Sequence, residues 1–198
     1  SEPAFAKNKR IIIDAEIHQY LTELANPILN VAKINPEDVK IHILEDNALN
    51  AFVAEGKNIF LHTGLLISTE NPQQLRGVLA HEIGHIAGGH LTRKSQAYRN
   101  ASNVASLGSI LGLAAAIASG QPQAAPTLVH GAGSIAKKTF LKHTRGQEAA
   151  ADQAAARYLI AIREGPSGLL DFLRILREKE TVSSDTFPIY LRTHPLSK

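Results

Sequence analysis

"LAHEIGHIAGGH", residues 79–90, places His81 and His85 four positions apart with Glu82 between them. On an α-helix, residues four apart share a face, so both imidazoles can point at one ion. Glu82 stands about 100° round the helix from His81, where it can reach a water beside that ion without ligating it. The stretch is chemical only if it is helical, and its flanks say that it is. Asn71-Pro72 supplies an N-cap followed by the residue best suited to a first helical position. Leu75, Val78, Leu79, Ile83 and Ile86 then recur at helical spacing, and Gly88-Gly89 ends the run.

Two neutral imidazoles that hold zinc, with a carboxylate that takes a proton from water, is the chemistry of H-E-x-x-H. Such a site needs a third protein ligand. The extended motif H-E-x-x-H-x-x-G-x-x-H does not supply it: Gly88 fits, but Leu91 stands where the third histidine belongs and His90 is one residue early. A carboxylate from a second helix is the other solution. "QEAAADQAAA", residues 147–156, sets Glu148 and Asp152 four apart among alanines small enough to let two helices approach closely. Glu148 is then the expected ligand. Asp152 is expected to accept a hydrogen bond from a ligating histidine and fix its tautomer. A solvated helix face is the alternative reading of the pair. Two histidines, one glutamate and an open position describe a catalytic zinc site rather than a closed structural one, with one Zn2+ per chain.

The remaining histidines carry weaker expectations. His194, in "RTHP", can fold back to the site as a transition-state donor or as a capping ligand. His90, His130 and His143 are read as solvated or hydrogen-bonded in loops, and His18, His42 and His62 as structural.

Outward from the motif, the chain reads as α+β. Asp14 to Leu29 is an amphipathic helix with Ile17, Tyr20, Leu21, Leu24 and Ile28 on one stripe. "VKIHIL", residues 39–44, alternates as a half-buried strand. Residues 50–64 read as two short strands turning around Glu55 to Asn58, with Gly56 and Asn58 suited to the tight turn. A helix is expected from about Thr144 to Ile162 and a last one from about Ser167 to Lys179, before a loop-like tail over about 181–198. Between Arg99 and Lys137 there is no Lys, Arg, Asp or Glu, and the segment at about 100–136 reads as an apolar helical hairpin. It is either a hairpin beside the cleft that touches membrane or unfolded substrate, or an internal hairpin packed on the core. Its best candidate for a membrane span, residues 101–119, is marginal in length and rich in Ala, Gly and Ser.

Composition narrows the function. A chain of 198 residues fits a single domain, here 1–198, with that hairpin as an appendage. Its net charge of +3 is spread without a basic cluster, which argues against nucleic acid as a partner. There is no cysteine, so neither disulfides nor thiolate metal sites are open to it. No signal peptide is visible at the start and there is no methionine anywhere, so the chain is read as processed, its signal peptide removed.

"NAFVAEGKNIFLHTGLL", the opening motif, "QEAAAD" and "LRTHPLSK", in this order, resemble the BepA-like soluble periplasmic zinc metallopeptidases, of the family that includes HtpX and the CaaX-processing proteases. The resemblance runs from Asp14 to the end. It implies a mostly helical gluzincin fold with a small β-sheet beside the active-site helix, His81, His85 and Glu148 as zinc ligands, and Glu82 as catalytic base. It further implies that Asn50, Ala51, Phe52 and Val53 lie along the cleft and pair with an extended substrate as an added strand. The expected activity is endopeptidase action on extended or misfolded cell-envelope proteins, in the periplasm and in association with the outer membrane and its assembly machinery. The rival expectation is a zinc-containing chaperone or assembly factor that binds polypeptide with little cleavage. Relatives of this type continue past the T-H-P motif, often into a helical-repeat domain, which is absent from this sequence.

Overall fold

The computed structural model describes residues 10–54, 57–90 and 144–182, with isolated positions at 96, 102, 103, 106 and 109. Two compact units divide the chain: Ser1–Leu91 together with Gln147–Lys198, and Thr92–Gly146. The hairpin expected at 100–136 falls in the second unit and, apart from helical positions 102, 103, 106 and 109, lies outside the described residues. The tail from 183 onward, including His194, also lies outside them.

In the first unit, β1 (Ile11–Ile12) leads into α1 (Ala15–Val31), and a short 3-10 turn (Pro36–Asp38) leads into β2 (Lys40–Leu44). β3 (Ala51–Ala54) and β4 (Asn58–His62) follow, then α2 (Thr63–Ser68) and α3 (Pro72–Ala87). The chain re-enters on α4 (residues 144–161) and ends its described part on α5 (Ser167–Val182). The last helix thus runs past 181, where the tail had been expected to begin.

The strand order is β1-β2-β4-β3. β2 and β4 pair in parallel, while β1 and β3 add antiparallel on either side. Ile43, Ile59 and Leu61 face the main core, where they meet Leu21, Leu24 and Ile28 of α1 and Val78, Leu79 and Ile83 of α3. Each such fully buried leucine or isoleucine contributes about 1.5–3 kcal/mol relative to exposure. The opposite sheet face is covered too: Leu44, Ala54 and Phe60 form a smaller buried cluster with Ile11 and Phe52 packed against it. The expected alternation holds, with Val39, Ile41 and Ile43 on the main core and Lys40 exposed, but at the strand's end Leu44 is buried in the second cluster, which the alternation did not indicate.

Local chemistry explains the ends. Asp14 caps α1 by accepting from the Ile17 N–H, and Asn71 caps α3 by accepting from the Gln74 N–H at 3.0 Å. The stripe on α1 departs from expectation: Ile17 and Tyr20 are 41% and 43% exposed. They line a surface groove with Leu66 and Pro72 instead of joining the core. In the turn before β4, Lys57 holds the left-handed backbone (φ 60), and its ammonium pairs with Asp38. Asn58, expected in that turn, opens β4 and hydrogen-bonds His42 Nε2.

α3 is buried along most of its length, between α1, α5 and the sheet. Where it meets α4 the approach is set by Gly84. A Cβ there would fall 2.9 Å from the Ala151 carbonyl oxygen and 3.3 Å from the Ala154 Cβ. No larger side chain fits between these backbones. The alanine run of α4 and Gly84 of α3 thus bring the two helices close enough for their polar residues to meet.

Candidate metal centre

Three donor atoms converge where α3 faces α4. His85 Nε2 lies 3.0 Å from His81 Nε2. Glu148 Oε2 lies 3.3 Å from His81 Nε2 and 3.4 Å from His85 Nε2. All three residues are buried, and among the described residues they form a cluster able to hold a metal ion.

The donor set fits zinc. Ligands held at about 2.0–2.1 Å around a tetrahedral ion stand about 3.3 Å from one another. The observed separations of 3.0, 3.3 and 3.4 Å match one face of such a tetrahedron. Two imidazole nitrogens and a carboxylate oxygen form a borderline donor set that suits zinc better than it suits magnesium or calcium.

The surroundings fix the ring orientations. His81 Nδ1 lies 2.9 Å from Asp152 Oδ1, and a carboxylate can only accept, so Nδ1 carries a hydrogen and in the neutral ring the Nε2 lone pair faces the cluster. Burial opposes charge on His81 in the metal-free protein. The carboxylates of Asp152, Glu148 and Glu82 outweigh it and push the pKa up to about 10. Glu82 is fully buried on α3 and lies near enough to His81 to contribute to that shift. The helix also carries Asn50 and β3 beside it: β3 packs against α3, and Asn50 is buried with its carbonyl accepting from the His62 N–H.

The structure therefore brings His81, Glu82, His85, Glu148 and Asp152 together. Ala51, Phe52 and Val53 lie on β3, next to α3. His194 lies outside the described residues, as do His130 and His143. His18, His42 and His62 make local contacts: to the Ile12 carbonyl, to Asn58, and to Asp46, with Phe52 edge-on to the His62 ring.

His90, expected to be solvated or hydrogen-bonded in a loop, is hydrogen-bonded but buried. It is 6% exposed, and its Nδ1 lies 2.9 Å from Nδ1 of His85. Gln147, one residue before Glu148, donates its side-chain amide to the His90 carbonyl. A signal existed in the sequence: a glycine pair directly before a histidine lets the chain reverse and lay the ring back on the helix it has just left.

A helix bearing H-E-x-x-H, joined directly by a glutamate from a second helix and packed beside a small mixed sheet, defines a metallopeptidase domain. The chain belongs to Peptidase family M48, which it matches over residues 13–198. It is 30% identical over 189 residues to the beta-barrel assembly-enhancing protease of Yersinia pestis, covering 94% of this chain and 38% of that protein. Against the protein of the same name from Escherichia coli K12 the identity is 29%, with the same coverage. The human mitochondrial metalloendopeptidase OMA1 is 32% identical over 89 residues, which cover 45% of this chain and 16% of that one. The chain thus spans little more than a third of the bacterial relatives it matches. Among the described residues no helix is long and apolar enough to cross a membrane.

Proposed function

We propose that this chain is the catalytic domain of a zinc-dependent endopeptidase that acts on extended or misfolded polypeptides of the cell envelope. One observation carries the reading: donor atoms of His81, His85 and Glu148, from two helices far apart in the sequence, meet within 3.0–3.4 Å of one another. His81, His85 and Glu148 hold the ion. Bound there, zinc supplies Lewis acidity that acidifies water and polarises a scissile carbonyl.

The chain's own groups do the rest. Glu82, rotated away from the ligand face and buried in the same helix, takes a proton from the attacking water and delivers it to the leaving amine. Asp152 holds His81 in the tautomer that directs Nε2 at the site. The segment Asn50 to Val53 offers a backbone track beside α3 on which an extended substrate adds as a strand, reading main chain more than side chain. The names of the bacterial relatives support substrates connected with β-barrel assembly; a periplasmic setting at the outer membrane belongs to the same proposal.

The test is zinc content and cleavage of an unfolded reporter polypeptide in wild type, Glu148→Ala and Glu82→Gln. The expected result is about one zinc in wild type, lost in Glu148→Ala, and full zinc without cleavage in Glu82→Gln. A Glu82→Gln protein that kept every activity of the wild type would support the chaperone reading instead. A wild type that bound no zinc would end the catalytic one.

A further inference from the structure

The last turn of α3 does more than stop the helix. Gly88 donates to the Gly84 carbonyl, and Gly89 takes a left-handed backbone (φ +59) that turns the chain back. His90 then returns over the helix end. Its ring packs edge-on to the His85 ring, with centroids 5.0 Å apart and planes at 78°. Gly88 has to be small for this: a Cβ there would lie 2.6 and 2.7 Å from two carbons of the His90 ring. The carbonyl of His90 is held in turn by the Gln147 amide at 3.2 Å.

We propose that His90 is a positioning residue of the metal centre, accepting the Nδ1 hydrogen of His85 and so fixing the tautomer that presents Nε2 to the ion. The inference rests on the metal reading given above. Two ring nitrogens 2.9 Å apart must be one donor and one acceptor. His85 Nε2 faces His81 Nε2 and Glu148 Oε2, so a metal there requires its lone pair and moves its hydrogen to Nδ1. His90 Nδ1 is then the acceptor, and the hydrogen of that ring sits on Nε2.

The two ligating histidines are therefore held by different means, His81 by a carboxylate and His85 by a neutral ring. Charge explains the difference. Glu82 and Glu148 are both buried here and Asp152 lies at the rim. A neutral acceptor orients His85 without placing a further negative charge in a site that already carries three carboxylates.

The experiment compares wild type, His90→Phe and His90→Asn by titration with Co2+, and reads nitrogen-15-labelled histidines of the zinc-loaded wild type by NMR. His90→Phe fills the space but cannot accept, and is expected to bind Co2+ roughly 10–100-fold more weakly. In His90→Asn the side-chain oxygen takes up the position of Nδ1 and is expected to restore most of the affinity. A purely structural role would shift the unfolding midpoint of the metal-free protein without separating Asn from Phe in this way. In the wild-type spectrum the hydrogen should sit on His85 Nδ1 with coupling across to His90 Nδ1, a result that needs no variant to fold. Equal Co2+ affinity in wild type and His90→Phe, or a hydrogen on His90 Nδ1, overturns the inference and leaves the metal reading standing. A wild type that takes up neither Co2+ nor zinc overturns the metal reading itself.

Discussion

His81 of α3 and Asp152 of α4 meet at 2.9 Å, Nδ1 to Oδ1, across 71 positions of sequence. If His81 ligates a metal as proposed, the contact orients that ligand; it also raises the ring's pKa and reports how closely the two helices are packed. Each of these consequences can be measured separately.

Removing the acceptor should loosen the metal more than the fold. The Asp152 side chain is 36% exposed, so its loss leaves no buried cavity. Asp152→Ala is expected to lower zinc affinity about 10–100-fold, and to lower the metal-free unfolding midpoint only by the stability its contact with the charged His81 ring supplies. Competition with a chromophoric chelator, run beside a urea titration of the metal-free proteins, checks both halves.

Zinc uptake should release protons. His81, raised to about 10 in the metal-free state, is protonated at neutral pH, and only the neutral ring ligates. Uptake near pH 7–8 should expel about one proton from it, and affinity should tighten by roughly tenfold per pH unit in that range. Calorimetry in two buffers of different ionisation enthalpy reads the proton directly. The same shift has a sign for the metal-free fold. A histidine whose folded pKa lies above its unfolded value of 6.5 gives stability that is fully present below about pH 6.5 and lost as pH rises through about 10. Metal-free protein should therefore weaken between neutral pH and 10, and the zinc-loaded form should not share that loss.

Gly84 is the spacer between the helices. In Gly84→Ala the new methyl meets the Ala151 carbonyl oxygen at 2.9 Å, and backbone cannot yield as a side chain would. A destabilisation of about 1–3 kcal/mol is expected, together with weaker zinc binding because Glu148 and Asp152 move away from α3. A Gly84→Ala protein with the denaturation midpoint and zinc affinity of wild type would show that the interhelical distance is not fixed here.

At Gly89 the restriction is backbone rather than space. Nothing lies within 4 Å of a Cβ built there, yet φ is +59. Gly89→Ala should cost about 1 kcal/mol or somewhat more, while Gly89→Asn, whose side chain tolerates the left-handed region, should cost less. Thermal unfolding of both variants settles the order.

Much of this site was legible because its parts are periodic. His81 with His85, and Glu148 with Asp152, are i,i+4 pairs, so their shared faces follow from helical geometry, and the alanines around Glu148 announced a close helix contact. The N-cap at Asn71 was equally plain. What the sequence hid depends on objects distant from it. Ile17 and Tyr20 match the core stripe of α1 in spacing, but which end of that stripe is covered depends on α2 and the start of α3. Leu44 is buried because the outer sheet face is also covered, a fact no alternation pattern inside β2 encodes. The burial of His90 against His85 was not legible because it arises from the turn at Gly89, whose backbone angles carry no hydrophobic signature.

The clasp between Gln147 and the His90 carbonyl has a topological meaning. The chain leaves the first unit after Leu91, just beyond one part of the candidate site, and returns at Gln147, just before the other. These two points are tied to each other by a hydrogen bond. A segment anchored in this way can change length or composition at small cost in closure entropy, since its ends are already brought together by the helices that carry the site. The first unit is thus a host whose chain leaves and re-enters at one hydrogen-bonded clasp, and shortened, extended or exchanged segments between 92 and 146 can be screened with its fold held constant.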